Sequence, residues 1–314
     1  MSTSDTDVTI CIPTRDRPAH VARLLTYYER SVFRGRVLVG DASVTDHKQY
    51  HLRACQAATI HRWPGLPVTQ TMARLAAMVT TPYVVYAGDD DYHLPTGLTA
   101  AARILAHTRG DNVVACAGAA RWYHDRYGSR EIIGAYAQPG LDGSSGAERI
   151  LRLLVGYWVP LYAVCRSWVW RAAWEACAKM TDKALGGEIG PSTLIAAEGR
   201  IAVHDGPMLL REQHAERGAW PTLAEWVDSP AFAADIRALA RAVARRAGPV
   251  CAGDEVESLR EGMAHYLLVH QAATHLTVDP VRGAIDRARM AHNIAAHRSE
   301  TMDGPWARAL EWLQ

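Results

Sequence analysis

YVVYAGDDDYHLP, residues 83–95, is the stretch that decides the fold. Tyr83, Val84, Val85 and Tyr86 are all β-branched or aromatic and follow Pro82, which predicts a short buried strand of a parallel sheet. Ala87 and Gly88 then narrow the chain, and Asp89, Asp90 and Asp91 follow with no basic residue between them. Leu94-Pro95 opens a helix, with proline at an early position where its missing N–H costs little. Acids at the carboxyl end of a buried strand stand where open α/β sheets place their ligands. Three adjacent carboxylates repel one another, so the triplet calls for a cation or a substrate to offset its charge. The plainer alternative is an acidic turn that caps the helix at Leu94.

Working outward, strands are expected over 8–12 (VTICI), 36–40 (RVLVG) and 59–63, with helices over 19–28, over 47–57 and around Met72, Leu75, Ala76 and Val79. Strand and helix alternating at this interval predict right-handed βαβ units and a mostly parallel sheet. Pro13-Thr14, Asp41 and Asp89 then line one edge of it. Further on, a helix over 96–107, a strand over 113–117 and an antiparallel ribbon over 121–133 are expected. Residues 138–146 (QPGLDGSSG) read as a linker loop or a lid. Tyr157 and Trp158 read as core aromatics or as a sugar-stacking platform, before a strand over 162–165. Glu188 follows two glycines and opens a short helix over 191–197; strand-like segments over 200–204 and 208–211 close on Arg211-Glu212-Gln213-His214.

From Trp220 the texture becomes Ala-rich and helical, with helices expected over 223–227, 231–247, 255–275, 280–296 and near the C-terminus. Arg237, Arg241 and Arg245 form a stripe read as a solvated face, with contact to an anionic lipid or acceptor as the sharper alternative. The expected division is a catalytic α/β domain over 1–218 and an all-α region over 219–314 that shapes the acceptor side or makes a homodimer contact.

Composition excludes several classes. At 314 residues the chain has room for about two domains, and 49% hydrophobic and 21% charged residues are ordinary for a globular protein. A net charge of +1 gives no field for nucleic acid. The apolar runs are too short and too broken by charge to span a bilayer. The start, MSTSDTD, is unlike a signal peptide, and six scattered cysteines without a CxxC pair read as reduced core thiols, so a cytoplasmic protein is expected. Fourteen histidines include no HExxH spacing. Dinucleotide GxGxxG, phosphate-loop GxxxxGK[ST] and hydrolase GxSxG patterns are missing as well.

Taken together, ICIPTRDRP, VLVGDAS, YAGDDDYHLP and the pair GGE and AEG resemble the family 2 glycosyltransferases of the GT-A fold over roughly residues 8–214. The resemblance implies a GT-A domain and a metal-dependent inverting enzyme that moves one sugar from a nucleoside-diphosphate sugar, UDP-sugar favoured, to an acceptor hydroxyl on a glycan, protein or small molecule. It implies that Pro13, Thr14, Arg15, Asp41, Asp89 and Asp90 contact the donor. Asp91, with Asp89 and His214, would hold Mn²⁺ or Mg²⁺, His204 being the competitor of His214. Glu188 would be the general base, with Asp182 as runner-up. Gly40 replaces the first acid of the family's acid pair, so donor-base contacts would rest on Asp41 alone. Only one acid, Glu188, stands at the base position, and the Q-x-x-R-W element of processive synthases is absent. Two other classes compete: a sugar-nucleotide nucleotidyltransferase, although PTRDRP lacks that class's glycine-rich loop, and a non-catalytic sugar-nucleotide-binding module.

Overall fold

The computed structural model describes residues 7–46, 58–126, 129–213, 229–247, 296–297, 300 and 303–313. His214, the helices expected over 47–57, 223–227 and 255–275, and that over 280–296 except its last residue lie outside the described residues.

Among the described residues nine strands form one sheet. They are β1 (Val8–Thr14), β2 (Arg36–Asp41), β3 (Ala58–Arg62), β4 (Tyr83–Tyr86), β5 (Asp91–His93), β6 (Val113–Arg126), β7 (Ser129–Tyr136), β8 (Val164–Arg166) and β9 (Arg200–Glu212). The order across the sheet is β3-β2-β1-β4-β8-β6-β9-β5, with β7 paired to β6. β1 to β4 pair in parallel; β8 runs antiparallel between β4 and β6, and β6 and β9 are again parallel. Six strands therefore point one way and β5, β7 and β8 the other, a largely parallel sheet of the GT-A kind. The chain steps outward from β1 to β2 and β3, then returns to the other side of β1 as β4. The crevice at the carboxyl ends of β1 and β4 is thus the switch point at which such sheets bind ligands.

Helices cover both faces. Alternation along the strands sends Cys11, Leu38 and Val84 into one apolar cluster and Ile10, Ile12, Val37, Val39 and Val85 into the other. α1 (Pro18–Arg30), α3 (Pro95–His107) and α8 (Gly304–Glu311) pack on the second cluster. The first takes α2 (Val68–Met78), α4 (Gly146–Val155), α5 (Ser167–Cys177), α6 (Gly190–Glu198) and α7 (Pro230–Ala247). α4 and α5 have no counterpart among the sequence expectations. α4 is announced by a capping pair: Ser145 Oγ accepts the Glu148 amide at 3.1 Å, and Glu148 reaches back to the Ser144 amide. Trp158 is buried in the core, as expected, and Cys11, Cys116, Cys165 and Cys177 are buried free thiols. The arginines 237, 241 and 245 lie on the exposed face of α7, as read from the sequence. No helix among the described residues is long and apolar enough to cross a membrane.

The helical residues after 219 do not form a core of their own where they are described. Phe232, Ile236, Leu239 and Val243 of α7 enter the first cluster, and Trp306, Ala309 and Leu310 of α8 the second. Asp235 on α7 accepts the backbone N–H groups of Thr181 and Asp182, both at 2.7 Å. Asp182 in turn caps the next turn, its Oδ1 accepting the Leu185 amide at 2.7 Å. Asp235→Ala leaves two backbone donors without their acceptor and should cost about 1–3 kcal/mol, read as a lower urea midpoint. Asp235→Asn keeps an acceptor oxygen and should lose less; equal losses in the two variants would contradict this role.

Candidate active site

A cleft of about 620 Å³ opens at the carboxyl ends of β1 and β4. Three segments build its floor: Pro13, Thr14, Arg15 and Arg17 at the end of β1 and just beyond it, Gly88 to Asp91 after β4, and the Pro/Gly turn from Gly65 into α2. Met180, Thr181 and Lys183 close one side, and Tyr86, Tyr162 and Arg211 complete the wall. The Thr14 backbone stands in register with Asp41 on β2.

The turn after β1 aims its two arginines differently. Asp16 has φ 55, in the left-handed region that aspartate tolerates better than most residues, and its amide donates to Ser43 Oγ at 2.7 Å. The turn brings Arg17 back over the acid triplet, whereas Arg15 touches the exposed Asp16 at 3.5 Å. Arg17 donates to Asp89 Oδ1 through Nη1 and to Asp90 Oδ2 through Nη2, the latter at 3.0 Å. Thr14 Oγ1 donates to Asp89 Oδ2 at 2.7 Å. Burial nevertheless outweighs Arg17 and Thr14 and pushes the Asp89 carboxyl up to about 6.

Asp91 departs from the expected turn: it opens strand β5, on the far edge of the sheet, directly opposite Arg211 of β9. Arg211 Nε lies 3.2 Å from Asp91 Oδ1, and the Tyr162 hydroxyl donates to Asp91 Oδ2 at 2.5 Å while accepting from Arg211 Nη2 at 2.8 Å. Three rings surround this guanidinium, with centroids 4.6 Å away for Trp122 and Tyr136 and 4.4 Å for Tyr162. Burial alone would lower the Arg211 pKa, but Tyr162 and Asp91 beside it raise it further above its ordinary range. Gly88 is required by this crowding: a Cβ there would lie 2.8 Å from Asp91 Oδ2 and 2.9 Å from Asp90 Oδ1.

Glu188 sits in a π-helical turn (Leu185–Ile189) that runs straight into α6, so it does not itself begin that helix. The Tyr157 hydroxyl donates to Glu188 Oε1 at 3.2 Å and lies 3.4 Å from Ser192 Oγ. Glu188 is not itself among the cleft-lining residues, but a Cβ on its neighbour Gly187 would lie 3.1 Å from Val68 Cγ1, and Val68 lines the cleft. Asp182 spends its carboxylate on the Leu185 amide. Asp41 is fully buried; its Oδ1 accepts the Ser43 amide at 2.8 Å, and Ala42 rather than Asp41 faces the cleft. Gly40 has a steric reason: a Cβ there would lie 2.5 Å from Thr71 Cγ2, so the acid that the resemblance puts at this position has no room. His204 packs over Gly118, away from the cleft-lining residues.

Of the residues singled out in the sequence, Pro13, Thr14, Arg15, Asp89, Asp90 and Asp91 therefore meet in one cleft, and Glu188 adjoins it through Gly187 and Val68. Arg17, Lys183, Tyr162 and Arg211 were missed. Arg17 lay in plain view within PTRDRP, but only the three-dimensional pairing reveals which acids it meets.

S. aureus TarS has the same fold. Its residues 1–349 superpose at a TM-score of 0.54 with 11% identity, over 91% of this chain and 80% of that one. The same fragment in complex with UDP-GlcNAc gives 0.52 at 13% identity, over 87% of this chain and 76% of that one. Its complex with UDP gives 0.51 at 13% identity, over 83% and 70% respectively. No protein-family model matches the chain, and no curated protein matches it in sequence.

A divalent cation is the group implied by the sequence resemblance, and the acid triplet is where it would bind. The donor set does not fit one as arranged. Both oxygens of Asp89 and both of Asp91 already face protein donors, and Asp90 shares Arg17 with Asp89. Asp89 and Asp90 turn toward β1 while Asp91 turns toward β9, and among the described residues no three His, Cys, Asp or Glu side chains converge to hold a metal.

Proposed function

We propose that this chain is a glycosyltransferase that moves a single sugar from a nucleoside-diphosphate sugar, UDP-sugar favoured, to an acceptor hydroxyl with inversion at the anomeric carbon. The observation that carries the reading is the cleft at the β1/β4 switch point, where Thr14, Arg15, the triplet Asp89–Asp91 and Lys183 line one cavity. Support comes from the shared fold with TarS, whose complexes with UDP-GlcNAc and UDP favour a uridine donor, and from the motifs of the family 2 resemblance. The base is expected near Ala42 and the 65–69 turn, the ribose near Asp89, and the diphosphate beside Arg15 and Lys183.

In this reading Glu188 takes the proton of the acceptor hydroxyl as its oxygen attacks the anomeric carbon. The bond from that carbon to the diphosphate oxygen breaks on the opposite face, and nucleoside diphosphate leaves. Tyr157 holds the Glu188 carboxylate in place. The region over 219–314, helical by its sequence, is assigned to the acceptor side or to a homodimer contact; Asp235 of α7 also fixes the segment that supplies Thr181 and Lys183 to the cleft.

A thermal-shift screen of UDP-, dTDP-, GDP- and CMP-sugars tests the reading. A donor at 100 times its Kd should stabilise the fold by about 2.7 kcal/mol. The largest shift is expected with a UDP-sugar, and no shift with any of the four would contradict a nucleotide-sugar site.

A further inference from the structure

We infer that the charge of the bound diphosphate is met by guanidinium and ammonium groups of this chain rather than by a divalent cation; the inference rests on the donor reading above. An acid triplet at a strand end calls for a counter-charge, and here the fold supplies it twice. Arg17 comes from 72 residues upstream of Asp89, and Arg211 from 120 residues beyond Asp91. These contacts are specific. Arg17 spreads one guanidinium over two carboxylates, and Arg211 is clamped between Trp122, Tyr136 and Tyr162 while it holds Asp91. A metal at Asp91 would have to reach a carboxylate that is 2% exposed and share its two oxygens with Arg211 and the Tyr162 hydroxyl.

With the acids neutralised, cations remain for the ligand. Among the described residues Arg15 is ion-paired only with the exposed Asp16, and Lys183 with none; both line the cleft. Arg15, Arg17, Lys183 and Arg211 line the cavity with Asp89, Asp90 and Asp91, one cation more than carboxylates among the lining residues. Guanidinium binds phosphate oxygens through paired N–H donors and requires no metal bridge, while lysine supplies a point charge.

Calorimetric titration of UDP into the full chain, in excess EDTA and again with saturating Mn²⁺, tests this. The expected result is binding in EDTA with a Kd within about threefold of that in Mn²⁺. Binding seen only with Mn²⁺, or strengthened by it more than about tenfold, overturns the inference and leaves the donor reading standing. Absence of UDP binding in both conditions overturns the uridine-donor reading and, with it, the inference as stated for UDP. Arg17→Gln, which releases Asp89 and Asp90, is expected to weaken UDP binding in EDTA by about tenfold or more and to make it respond to Mn²⁺. A variant that binds UDP in EDTA as wild type does would remove Arg17 from the scheme.

Discussion

Glu188→Gln is expected to lower the rate of sugar transfer by about 10²- to 10⁴-fold, the usual contribution of a general base. Glutamine keeps the size of the side chain and a carbonyl oxygen to accept from the Tyr157 hydroxyl, so the turn around it is retained. It cannot take a proton. The proposed donor contacts are other residues of the cleft, so UDP affinity measured by calorimetry should stay close to wild type while turnover falls. Such a loss in turnover at unchanged affinity marks an interaction made in the transition state. Near-normal turnover in the variant would return Glu188 to a structural role in the π-helical turn and leave the base unassigned. Asp182 is a poor substitute, because its carboxylate already caps the Leu185 amide.

The second large effect concerns stability. Arg211→Met should destabilise the fold by about 3–5 kcal/mol, the cost of stranding a buried charge whose partner has been removed. Asp91 is buried, and the variant removes the guanidinium from its Oδ1 while the Tyr162 hydroxyl stays on Oδ2. Methionine roughly fills the space between Trp122, Tyr136 and Tyr162, so the loss reports charge more than packing. Urea unfolding of Arg211→Met and of the double variant Arg211→Met/Asp91→Asn separates the two contributions. The double variant should recover part of the loss, since the stranded charge is gone. Equal stability of the two variants would show that Arg211 acts through its aromatic contacts alone.

Much of the fold was legible because strand and helix signals alternated cleanly. The strand over 83–86 is observed with the expected ends, and the helix expected over 96–107 begins at Pro95. The switch-point cleft followed from that alternation plus the position of the acids. Less legible were features that depend on pairing across the sheet. Asp91 reads as part of an acidic turn in sequence, yet three residues of extended chain suffice for it to pair with β9. The segments over 200–204 and 208–211 are one strand, β9; in sequence Gly206 and Pro207 separate them. α4 starts at the last residue of the stretch over 138–146, whose glycines and serines read as a loop, although Ser145 and Glu148 carried its capping signal. The partners of the triplet were the least legible of all. A counter-charge could be deduced from three adjacent carboxylates, but not that arginines at 17 and 211 supply it, because that choice is made by the tertiary fold.

The most direct measurement of sugar transfer at the anomeric carbon is slow donor turnover by the full chain, followed by NMR in the absence of acceptor. Water replaces the acceptor hydroxyl, so an α-linked UDP-sugar should yield UDP and, before mutarotation, the β-anomer of the free sugar. Release of UMP with a sugar phosphate would place cleavage within the diphosphate instead. A free sugar of retained configuration would remove the need for Glu188 as base, and either result would contradict inverting glycosyl transfer.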